Sequence, residues 1–77
     1  MKTKARVVHE AIIGQTVTCA AWLAKHDALD LAAQMRQEFL DMTGVTDDEW
    51  NEQVDDLLDY AERKGSGDAW FIAAVRV

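Results

Sequence analysis

Two rhythms of apolar and polar positions divide the chain. The helical rhythm is strongest after Gly44. Trp50, Val54, Leu57, Leu58 and Ala61 fall within an arc of about 100° at 100° per residue, the width of a core-facing stripe. Thr46-Asp47-Asp48-Glu49 matches a capping box, with Thr46 as N-cap and Glu49 at the third helical position. Arg63 and Lys64 sit where cations suit the end of a helix dipole, and Gly65 stops it. The pattern predicts a helix over 47–64. Before Gly44, Ala28, Leu31, Ala32, Met35, Phe39 and Met42 share another arc of about 100°. Leu29, Ala33 and Leu40 form a second strip beside it. Asp27 is the expected N-cap, with Asp30 supporting the first turn.

The other segments read as extended. Residues 6–13, Arg6-Val7-Val8-His9-Glu10-Ala11-Ile12-Ile13, are rich in β-branched side chains. Gly14-Gln15 reads as a tight turn with glycine in its first central position. Residues 16–23 form the returning strand, although Ala20-Ala21-Trp22-Leu23-Ala24 suits a backward extension of the next helix equally. Residues 68–77 combine Trp70, Phe71, Ile72, Val75 and Val77 in a run short for a helix. Glycines at 14, 44, 65 and 67 punctuate the pieces, and proline is absent. The expected order is ββααβ. It describes one α+β domain over 1–77, a three-stranded antiparallel sheet with two helices on one face. The last strand pairs with either the first or the second.

On that reading Val17, Cys19, Ala21 and Leu23 face the core from the second strand. Phe71, Ala73, Val75 and Val77 do so from the last. Cys19 is then a small buried hydrophobe. The opposite sheet face carries Trp22, Trp70 and Ile72, and exposed aromatics of this size mark an interface. A different register or a long terminal segment would bury them instead.

Composition narrows the function. Fourteen acids against eight bases give a net charge of −6, without the basic footprint of a nucleic-acid binder. No run of 18 apolar residues predicts a membrane span. His9 and Glu10 interrupt the segment that follows the basic start, which argues against a signal peptide. A cytoplasmic address is the expectation. Cys19, His9 and His26 lack metal-ligand spacing. No catalytic motif is present, so neither an enzyme nor a cofactor or metal is expected.

The acids are unevenly placed. Asp47, Asp48, Glu49, Glu52, Asp55, Asp56, Asp59 and Glu62 put eight acids and no base into residues 47–62. Sixteen helical residues span roughly 24 Å, about one charge per 3 Å. A nucleic-acid strand carries one per roughly 3.4 Å. Asp48, Glu52, Asp55, Asp59 and Glu62 lie within about 80° of one another. Such a face is either the solvated side of an amphipathic helix or a surface that fits a basic partner.

The pattern as a whole carries a resemblance. The expected hairpin, the Ala/Leu helix Asp27-Ala28-Leu29-Asp30-Leu31-Ala32-Ala33, the acidic helix opening Thr46-Asp47-Asp48-Glu49-Trp50 and the closing strand together resemble small phage and mobile-element inhibitors of bacterial defence. The nearest in style are anti-CRISPR proteins aimed at type I complexes. The resemblance lies in overall style rather than in a motif. It implies a protein that binds a Cas subunit and occupies its basic nucleic-acid-binding surface, in the host cytoplasm, without touching nucleic acid itself. The residues expected to meet the partner are Asp48, Glu52, Asp55, Asp56, Asp59, Glu62, Trp22 and Trp70. The alternative is a small assembly protein or obligate homodimer that pairs through the apolar sheet face.

Overall fold

In the computed structural model, which describes residues 3–77, four helices make up all the regular secondary structure among the described residues. Helix α1 spans Lys4–Lys25, α2 Leu29–Thr43, α3 Asp47–Lys64 and α4 Ala69–Ala74. No strand occurs among the described residues, so the ββααβ sheet is replaced by an all-α fold.

The largest correction is α1. The expected strands 6–13 and 16–23 and the turn at Gly14-Gln15 are one helix of 22 residues. Thr3 caps it, its side chain accepting from the Arg6 N–H at 3.2 Å. Gly14 lies mid-helix, and the Thr18 hydroxyl donates to its carbonyl at 2.9 Å. Ile13, Val17, Ala20, Ala21 and Ala24 are the buried positions. Their spacing of four and three is the helical period. β-branched residues disfavour helices by only tenths of a kcal/mol each, and packing of this inner face outweighs that. The same winding turns Cys19 outward, so it is exposed rather than buried.

By length and composition α1 could also cross a membrane, contrary to the sequence expectation. Here it is the helix against which α2, α3 and α4 all pack.

The connection to α2 differs from expectation in detail. Asp27 does not cap the helix. It takes a left-handed backbone at φ 61°, and Ala28 occupies the N-cap position with no side-chain bond. Ala32 and Leu40 are buried, and Met35 and Phe39 pack against the core. Leu31 and Met42, at the edge of the expected arc, are exposed. Gly44 closes α2 at φ 73°, a backbone that favours glycine.

Helix α3 has the predicted bounds and the complete capping box. At its end the Ser66 N–H donates to the Ala61 carbonyl at 2.9 Å and the Gly65 N–H to that of Glu62 at 3.1 Å. That pair of bonds satisfies carbonyls the helix would otherwise leave open.

The last expected strand, 68–77, is the short helix α4 and a tail. A strand would send Phe71 and Ile72 to opposite faces. The helix lets both pack against the core, with Val75 2% exposed. Ala73 and Val77, expected inside, are exposed.

Trp50, Ile13, Val17 and Val54 are the largest fully buried side chains. Phe39 tilts against the Trp50 ring at 6.0 Å between centroids. The molecule is a slab of 35 × 30 × 15 Å, and this cluster lies between α1 and α3.

Candidate functional site

The candidate surface is set by the winding of α3. Trp50, Val54 and Ala61 anchor one side of that helix in the core. Asp48, Glu52, Asp55, Asp56, Asp59 and Glu62 are all exposed as a result. Two of them have counter-charges. Arg76 pairs with Asp55, and Arg63 Nη2 lies 3.0 Å from Asp59 Oδ2. Asp48, Glu52, Asp56 and Glu62 have no ion-pair partner among the described residues. Asp48 and Glu52, and Glu52 and Asp56, are spaced four apart, where like charges repel.

Glu49 belongs to a different structure. Its carboxylate accepts the Thr46 N–H at 3.2 Å and reaches His9 Nε2 on α1 at 3.1 Å. Arg6 Nη1 stands 3.6 Å away. The backbone hydrogen bond from Thr46, followed by the His9 contact, holds this carboxyl below its ordinary value. Glu49 thus ties the start of α3 to the first half of α1.

Trp22 and Trp70 are exposed, at 60% and 66%, but on helices rather than on a shared sheet face. Trp22, on α1, tilts against His26 with 4.3 Å between centroids. Trp70, on α4, stands edge-on to Phe71 at 5.2 Å. Ile72, grouped with them in the sequence reading, packs against the core instead.

Beside Trp22 lies a cavity of about 260 Å³ between α1, α3 and the segment from Ser66 through α4. Ala21, Leu57, Tyr60, Phe71 and Ile72 supply apolar lining, and Lys25, Lys64 and Asp68 add charge. Lys25 Nζ bonds Asp68 Oδ1 at 2.9 Å, and Lys64 Nζ lies 5.6 Å from the Tyr60 centroid. The sequence reading missed this cavity because it depends on α4 being helical. Trp70 does not line it. Among the described residues no group of three or more His, Cys, Asp or Glu is placed to hold a metal ion.

Chemically, the arrangement offers a line of carboxylates on a rigid helix and, separately, an apolar recess with a tryptophan at its side. The first fits a basic surface and the second a side chain or small apolar group. Comparison with known protein families, with curated proteins and with solved structures finds no match.

Proposed function

We propose that the chain is a protein-binding inhibitor that docks the outer face of α3 on the basic, nucleic-acid-binding surface of another protein. A Cas subunit of a type I CRISPR complex, in the cytoplasm of a host cell, is the target class implied by the resemblance. The observation that supports this reading is the set of acids on α3 without counter-charges. Asp48, Glu52, Asp56 and Glu62 spend no charge inside the fold, so their field is directed to whatever approaches the helix. A phosphate backbone would be repelled by that field, whereas lysines and arginines would be drawn to it. Trp22 and Trp70 supply exposed aromatic surface of the kind that anchors protein interfaces.

The sheet-face homodimer is not retained, because no strand occurs among the described residues.

The test is capture of a purified type I complex by the tagged protein, with and without competing target DNA. Glu52→Lys, Asp56→Lys and Glu62→Lys are combined in the control. They avoid Asp55 and Asp59, whose ion pairs would be broken as well. The native chain should bind, lose affinity as salt rises, and be displaced by DNA, while the triple variant fails. Equal binding by native and variant chains removes α3 from the interface. Absence of binding by both removes this target class.

A further inference from the structure

The cavity between α1, α3 and the segment from Ser66 through α4 is apolar along its walls and charged at one corner. Ala21 and Trp22 line it from α1, Leu57 and Tyr60 from α3, and Phe71 and Ile72 from α4. Half of these side chains are aromatic. A recess of this kind, with a few polar groups gathered at one place, is the usual form of a small-molecule site.

The charged corner identifies the ligand. Lys25, Lys64 and Asp68 all line the cavity. Two ammonium groups therefore stand against one carboxylate, in a chain whose net charge is −6. Asp68 is spent on Lys25, with Oδ1 2.9 Å from Nζ. Lys64 has no carboxylate partner among the described residues. Its Nζ lies 5.6 Å from the Tyr60 centroid, within reach of a cation–π contact. That nitrogen carries three N–H donors, more than one ring face takes up. Ser66 lines the same cavity. Its hydroxyl oxygen accepts the Asp68 N–H at 3.1 Å, and its own proton has no acceptor among the described residues. Lys64 and Ser66 thus bring unspent donors and one unopposed positive charge to the edge of an aromatic recess. We propose that the cavity binds a small aromatic carboxylate, with its ring among Trp22, Tyr60 and Phe71 and its carboxylate at Lys64 and Ser66.

Size narrows the class. At about 30 Å³ for each water-sized group, a volume of about 260 Å³ holds roughly nine non-hydrogen atoms. Benzoate and phenylacetate are of that size. The volume falls short of the roughly 300–1,000 Å³ that drug-sized ligands occupy, so a nucleotide or a long acyl chain does not fit.

Other charges fit less well. A cationic ligand would meet both ammonium groups, and Lys64 already takes the Tyr60 ring. A neutral ring would leave the Lys64 and Ser66 donors unused. The end of α3 lies at this corner, where the helix dipole disfavours an anion. The N–H groups of Ser66 and Gly65 satisfy the Ala61 and Glu62 carbonyls there, and Lys64 supplies a full positive charge against the partial negative one.

The experiment is titration of the isotope-labelled full chain with phenylacetate, followed in proton–nitrogen correlation spectra. The indole signals report separately, because Trp22 lines the cavity, Trp50 is buried in the core and Trp70 lies outside the lining. Phenylacetate should shift the Trp22 indole saturably and the Trp70 indole far less, with a dissociation constant of about 1 mM or lower. Phenethyl alcohol, a similar ring without the charge, should bind about fivefold more weakly, the scale of an exposed charge pair. Lys64→Met keeps the apolar stem and removes the charge at an exposed position. It should weaken phenylacetate by about fivefold and leave the alcohol unchanged. Asp68→Asn frees Lys25 and should tighten phenylacetate. Absence of a saturable Trp22 shift up to about 10 mM phenylacetate overturns the proposal. So does equal affinity for the alcohol, or a Lys64→Met chain that binds phenylacetate as the native chain does. These variants leave the α3 carboxylates intact, so failure here and failure of acidic docking are read separately.

Discussion

The indole Nε1 of Trp50 donates a 2.9 Å hydrogen bond to the backbone carbonyl of Val75. One side chain at the start of α3 thereby fills the core and fastens the segment after α4. Two nearby bonds support it: Val77 N–H donates to Asn51 Oδ1 at 2.9 Å, and Arg76 pairs with Asp55. Replacing Trp50 with Phe keeps an aromatic ring but leaves the Val75 carbonyl without its donor and opens space beside Phe39. The expected loss is about 2–3 kcal/mol of unfolding free energy, read from urea denaturation. Trp50 is also the fully buried tryptophan, whereas Trp22 and Trp70 are exposed. Trp50→Phe should therefore remove the blue-shifted part of the fluorescence emission.

Gly14 offers the opposite sign. It sits inside α1, and a Cβ built there would meet Gln53 Oε1 at 3.7 Å, an ordinary contact. Gly14→Ala should stabilise the fold by about 0.5–1 kcal/mol through the helix preference alone. A thermal melt checks it. A loss of stability would mean that the backbone at Gly14 is not helical.

The start of α3 predicts a pH response. Glu49 has its pKa depressed below the ordinary 4.5 by the Thr46 backbone hydrogen bond and then by His9. A carboxyl lowered in the folded state binds protons more readily when unfolded. Its contribution is therefore present above the unfolded value and is lost as pH falls through the folded one. Glu49→Gln should flatten the acid limb of a stability–pH profile below about pH 4.5. Thr46→Ala, which removes the reciprocal cap, should cost about 1 kcal/mol at neutral pH.

Charge reversal on α3 separates binding from folding. Replacing Glu52, Asp56 and Glu62 with lysine turns the Asp48/Glu52 repulsion into an attraction and leaves positions 52 and 56 a like-charged pair, terms of a few tenths of a kcal/mol each. The triple variant should melt close to the native temperature while losing its basic partner. A variant that melts well below the native chain would mean that these carboxylates hold the fold together.

Helix α3 was legible because its signals agree: Thr46 and Glu49 cap it, Trp50 and Val54 share its inner arc, and Gly65 ends it. The acidic surface was legible for the same reason, since it follows from that arc. Helix α1 was not. Residues 11–24 contain no charged side chain, so alternation and helical spacing both find matches there. Val7, Val8, Ile12, Ile13, Thr16, Val17 and Thr18 then weigh locally toward a strand. The deciding signal is Ile13, Val17, Ala20 and Ala24, which share one side only when the chain is wound as a helix. Around α4, the seven residues 69–75 are apolar on every side and carry no periodicity. Length and aromatic content favoured a strand, and the need to bury Phe71, Ile72 and Val75 together made a helix. The cavity beside Trp22 depends on both of these helices and so had no trace in the sequence pattern.

The short connections between the helices have a kinetic consequence. Only three residues, 26–28, separate α1 from α2, three more, 44–46, separate α2 from α3, and four, 65–68, precede α4. Each helix therefore meets its neighbour with little loop entropy to overcome, and chains organised this way fold in microseconds to milliseconds. The slower step is one that joins distant parts of the sequence. Among the described contacts His9 must find Glu49, 40 residues on, and Lys25 must find Asp68, 43 residues on. Folding is therefore expected to wait on α1 meeting both the start of α3 and the segment that leads into α4, and substitutions at those meeting points should slow it more than substitutions in the short connections.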